Sequence, residues 1–168
     1  RGADRPGGAR PTRSPVAFLR DMGAAYRASN RAEPVMDGLA FHPYADSSGQ
    51  SPDTPHPRST TVGLADYDRL VTTLGQAFDG TQQLGSSLPI LYSEFGVESA
   101  VPAGKAKAYS GKEPATTRPV DETTQGQFYG RALQLAFCQP NVVGLKSVPN
   151  MIASSFRLRR RPLQWSAL

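Results

Sequence analysis

The stretch that most constrains this chain is Leu88–Val97, Leu-Pro-Ile-Leu-Tyr-Ser-Glu-Phe-Gly-Val. It is a short apolar run, bounded by Ser86-Ser87 and Pro89 on one side and by Gly96 on the other, which is the pattern of a strand buried in a parallel sheet. Such a strand needs neighbours and crossover connections, so the rest of the chain must supply both. The run also delivers a carboxylate, Glu94, at its end. In α/β folds reactive groups sit where parallel strands end, and that is one reading of Glu94; the other is the first solvated residue of a loop.

The flanking sequence alternates helix and strand. Ser14 as N-cap and Pro15 at the first helical position open a helix to about Ser29, with Phe18, Leu19, Met22, Ala25 and Tyr26 at helical spacing. A turn over Asn30–Pro34 leads into a short strand, Val35–Phe41, that ends at His42-Pro43-Tyr44. Pro52, Pro55 and Pro57 make Ala45–Val62 a long surface loop. A second helix is expected over Leu64–Phe78, where Tyr67, Leu70, Val71, Leu74 and Phe78 form one stripe. Asp66 and Asp68 lie near its positive end, and Asp79-Gly80 stops it. After Leu88–Val97 comes another long loop, Glu98–Val120, with Lys105, Lys107 and Lys112. A third helix over Glu122–Gln139, capped by Asp121 or Thr123, ends at Pro140, and Asn141–Leu145 begins a third strand. The order predicts parallel strands, with both long loops leaving strand C-termini, the face on which a β/α barrel builds its active site.

Charge narrows the choice of partner. The net charge is +5, yet residues 1–140 carry 14 basic and 14 acidic side chains. The excess lies in Lys146, Arg157, Arg159, Arg160 and Arg161, so a neutral body carries a basic tail. A nucleic-acid-binding domain would instead line a whole face with cations, so no nucleic-acid partner is expected. A solvated terminal segment accounts for the Arg cluster, and Trp165 decides nothing by itself. Residues 1–13, rich in Gly, Pro and Arg, read as an irregular loop. They contain no apolar core of a signal peptide, and no run is long enough to span a bilayer, so no transmembrane segment is expected. The chain begins with Arg1, which suggests a piece of something longer. Cys138 is the sole cysteine and reads as a small buried helix residue.

Phe41-His42-Pro43-Tyr44, followed some fifty residues later by Tyr92-Ser93-Glu94-Phe95-Gly96, carries a resemblance. Over most of residues 15–145 the chain resembles the C-terminal part of a cellulase-like glycoside hydrolase of the retaining β/α-barrel superfamily, often called clan A. The resemblance implies an α/β fold, a partial (β/α)8 barrel of about the last three β/α units, over residues 1–145. Residues 146–168 would be a basic tail that need not belong to that fold. It also implies that Glu94, ending the seventh strand, is the nucleophile, and that His42 and Tyr44, ending the sixth, hydrogen-bond the nucleophile or the sugar. A tyrosine hydroxyl donating to Glu94 would help keep it ionised and aimed. The substrate would be a β-linked poly- or oligosaccharide, no cofactor is implied, and export from the cell would be usual for the family.

Two departures matter. Retaining hydrolysis needs a second carboxyl group about 5 Å from the first to protonate the leaving oxygen. The family takes it from an Asn-Glu ending the fourth strand, which has no counterpart here, and Glu98, Asp46 and Asp53 match no family position. The chain alone is therefore expected to be weakly active or inactive. The alternative is a non-catalytic carbohydrate-binding or structural remnant. The eighth strand also departs, because Lys146-Ser147-Val148-Pro149 stands where the family commonly brings an aromatic. A frameshift would produce such a switch. His42, His56, Asp46 and Asp53 lie within fifteen residues, but their spacing matches no metal motif, and His56 reads as a solvated loop residue. No Gly-x-Ser-x-Gly or phosphate-binding loop is present. Open sheet edges would favour self-association.

Overall fold

The computed structural model describes residues 4, 5, 7–108, 118–147 and 155–156. Ser14 caps α1 (Pro15–Ala28) by accepting from the Ala17 amide, and Asp4 holds Ser14 through its amide and hydroxyl. Leu19, Gly23 and Tyr26 form the buried stripe of α1. Next come β1 (Leu39–Phe41), a 3₁₀ turn (Leu64–Asp66) that runs directly into α2 (Tyr67–Phe78), β2 (Ile90–Phe95), α3 (Glu122–Cys138) and β3 (Val142–Ser147). Asp121 caps α3, accepting from the Thr124 amide at 2.9 Å.

The three strands are parallel in the order β1-β2-β3, with Leu39 opposite Ile90 and Ile90 opposite Val142. The fold is thus mixed α/β around a three-stranded parallel open sheet. A short β4 (Ser155–Phe156) pairs antiparallel with Leu145 and Lys146 of β3, so the sheet extends past residue 145. The Arg157–Arg161 cluster and Trp165 lie outside the described residues, as does Lys112. Among the described residues, no helix is long and apolar enough to cross a membrane.

The core sits between one face of the sheet and the helices. Ile90, Tyr92 and Val142 meet Leu70, Leu74, Phe78, Ala132 and Ala136 there. Buried Tyr92 donates its hydroxyl to Gln139, and Gln139 donates to the Leu64 carbonyl, which ties β2, α3 and the start of α2 together.

Some expectations shift in detail. The first strand begins at Leu39 rather than Val35, because the Val35 and Met36 amides donate to the buried Gln83 side chain and not to a neighbouring strand. Within the Glu98–Val120 loop, Ala103–Ala108 coils into a 3₁₀ segment, and Ser99 bridges Val120. Cys138 ends α3 exposed rather than buried, a correction that follows from its place on the outer side of the last turn, opposite buried Ala132 and Ala136.

Candidate active site

The C-terminal ends of β1 and β2 bring together the three residues the sequence singled out. After β1 the chain makes a tight turn about buried Pro43, in which the Tyr44 amide donates to the His42 carbonyl at 2.9 Å. That turn swings Tyr44 towards the neighbouring strand, where its hydroxyl donates to Glu94 Oε1 at 2.6 Å. Such a length marks a charge-assisted bond to a carboxylate. His42 Nδ1 lies 3.9 Å from Glu94 Oε2, beyond hydrogen-bond reach, so their attraction depends on the ring being protonated. The His42 and Glu94 side chains are 53% and 43% exposed.

Aromatic packing fixes Tyr44. Its ring stacks on Phe95 at 6.5 Å between centroids, Phe95 meets Tyr129 of α3 edge-on at 5.9 Å, and His42 meets Tyr44 edge-on at 6.4 Å. α3 also pins the chain after β2, because Val97 donates its amide to the Tyr129 oxygen and accepts from Gln125 Nε2. Burial, then the bond to Glu94 and the charges of Glu94 and Glu98, push the Tyr44 hydroxyl well above its ordinary range. It therefore stays protonated and acts as a donor.

A cavity of about 400 Å³ opens beside Tyr44. Neither Glu94 nor His42 lines it; Glu98 and His56 do. Glu98 is held by Ser48, whose hydroxyl accepts from the Glu98 amide at 3.1 Å.

No family model, curated protein or solved structure matches this chain.

His56 corrects its reading as a solvated loop residue. It is 5% exposed, and its Nδ1 lies 2.8 Å from Asp66 Oδ2. Asp66 also accepts from the His56 and Gly63 amides and lies 3.5 Å from the Arg69 guanidinium. Burial opposes ionisation of Asp66, but these donors outweigh it and hold the carboxyl below the usual range. Arg69 further donates to the His56, Ser59 and Thr61 carbonyls and so staples the Pro-rich loop to α2. A sequence signal for the Asp66 half did exist. Asp66 stands three residues after Gly63 and reaches back to its amide, as the acidic member of a capping box does. The other polar residues of that loop are engaged separately, Asp46 with Thr61 and Asp53 with Arg131. Among the described residues, no group of three or more His, Cys, Asp or Glu side chains is placed to hold a metal ion.

Proposed function

We propose that Glu94, Tyr44 and His42 form the nucleophile side of a retaining glycoside hydrolase centre, and that the chain contributes about the last three β/α units of an eight-stranded barrel acting on β-linked poly- or oligosaccharide. The observation that carries this reading is the 2.6 Å bond from Tyr44 to Glu94 across the ends of two adjacent parallel strands. It supports the reading because a nucleophilic carboxylate must be held in one rotamer, and a donor on one oxygen leaves the other free to attack.

In the proposed reaction Glu94 Oε2 bonds to the anomeric carbon as the bond to the leaving oxygen breaks. The leaving oxygen would take its proton from a second carboxyl group, a role assigned to no residue of this chain, and water would later hydrolyse the glycosyl ester with that group as base. Glu98 is not assigned the second role, because it lies in the loop after β2 and lines the cavity that Glu94 does not line.

The alternative is carbohydrate binding without cleavage. It draws on the exposure of Glu94 and His42, since solvation weakens electrostatic help to a nucleophile. One experiment separates the two. A 2-deoxy-2-fluoroglycoside with a dinitrophenolate leaving group needs no proton donor, so it tests the nucleophile alone. Intact-mass and peptide spectra should show one glycosyl adduct, on Glu94, that is absent in Glu94→Gln. Saturable binding of the glycoside with no adduct would replace this proposal with the binding role.

A further inference from the structure

One residue that lines the cavity beside Tyr44 carries a buried polar atom with no bonding partner among the described residues. His56 lines the cavity at 5% exposure, and its Nε2 is buried with no hydrogen-bond partner among the described residues. An unsatisfied buried group of this kind is destabilising, and a partner supplied from outside would recover the loss. With Asp66 held as a carboxylate against Nδ1, the proton on that side of the ring sits on Nδ1. Nε2 is then an acceptor in the neutral ring and a donor in the protonated one.

We propose that this cavity binds a small neutral polyol, the size of a single sugar ring, with one hydroxyl on His56 Nε2. A hydroxyl both donates and accepts, so it satisfies the ring nitrogen in either state. The surrounding groups fit the same class. Ser47, Ser48 and Gln50 offer further hydroxyl and carboxamide partners, while Leu64 and Phe95 present apolar surface to ring C–H groups. Among the described residues the lining holds Glu98 but no lysine or arginine, which disfavours an anion. The volume of about 400 Å³ falls in the range of small-ligand sites. The site does not depend on the role of Glu94, which lies outside its lining. Tyr44 both lines the cavity and bonds Glu94.

The test uses the full chain labelled with ¹⁵N-histidine, in which His42 and His56 are the only two signals. Titration with glucose, xylose and myo-inositol should shift the His56 Nε2 resonance saturably and leave His42 in place. His56→Asn puts an amide nitrogen where Nδ1 stood, so it keeps a donor to Asp66 and removes Nε2. It should weaken polyol binding about tenfold, the equivalent of one hydrogen bond. Ala45→Leu, which leaves the His56–Asp66 pair intact and fills the cavity, should abolish the Nε2 shift, and it decides the matter if His56→Asn does not fold. The proposal is overturned if no polyol moves the His56 signal, because the cavity then holds water only. It is equally overturned if either variant binds as tightly as the parent, or if phosphate or methylammonium proves the better ligand.

Discussion

The Tyr44 hydroxyl donates to Glu94 while its ring stacks on Phe95, so Tyr44→Phe removes the first contact and keeps the second. A hydrogen bond to a charged group is worth about 1.5–3 kcal/mol, roughly ten- to a hundredfold in rate. The variant should glycosylate Glu94 more slowly by that factor with its melting temperature nearly unchanged; equal rates in the two proteins would remove Tyr44 from the site. Asp66 gives a pH dependence with a defined sign. Its folded pKa lies below the ordinary carboxyl value of about 4, so the unfolded chain takes up the proton first as pH falls. The stability Asp66 supplies is complete above that value and is lost as pH falls through the folded one. Asp66→Asn breaks the buried pair with His56 and should cost about 3 kcal/mol at neutral pH, with a flatter decline below about pH 4, read by urea unfolding at each pH. The legibility of these two groups differs for a physical reason. His42, Tyr44 and Glu94 stand at strand ends, positions set by short apolar runs that the sequence displays. The His56–Asp66 pair joins a proline-rich loop to a helix start, and no periodicity announces which side chain a loop will bury.

At the scale of elements, α1 and α2 approach closely because Gly23 has no side chain. A Cβ there would lie 2.6 Å from the Ala77 carbonyl oxygen and 2.7 Å from the Ala77 Cβ. The approach also lets Arg27 of α1 donate to the Ala77 and Asp79 carbonyls at the C-terminal end of α2, where carbonyls lack helical partners. Gly→Ala inside a helix ordinarily stabilises by about 0.5–1 kcal/mol. Gly23→Ala should instead destabilise by about 1–3 kcal/mol, because the helices must separate and the Arg27 bonds lengthen. A urea midpoint equal to or above that of the parent would mean that α1 can slide without loss. All three helices were readable within a residue or two, apart from the 3₁₀ start of α2, since caps and apolar stripes are local signals. The N-terminal part of the first strand was not, because Gln83, more than forty residues away, takes the amides that a neighbouring strand would have bonded. The 3₁₀ segment Ala103–Ala108 was likewise hidden in a stretch without apolar periodicity.

At the scale of the whole molecule, the described residues cover the sheet on one face only. Ile90, Tyr92 and Val142 point into the helical layer, and alternation places Ala40, Leu91 and Val143 on the other side, where Leu91 is 43% and Val143 39% exposed. Parallel sheets are ordinarily covered on both faces, so this surface is a natural place for association. Among the described residues β1 pairs with β2 alone, which leaves an edge beside the same face. Leu91 lies at the centre of the face, and its Cδ1 would lie 3.1 Å from a Cβ built at Gly144. Leu91→Lys keeps an aliphatic stem over Gly144 and adds a charge that water solvates in the monomer. Burying that charge unpaired costs several kcal/mol, so the variant should self-associate at least about tenfold more weakly in sedimentation velocity. Its urea midpoint should match that of the parent, because Leu91 faces away from the core. An unchanged association constant would assign self-association to the β1 edge, and loss of folded monomer would show that the exposed face already contributes to the stability of the single chain.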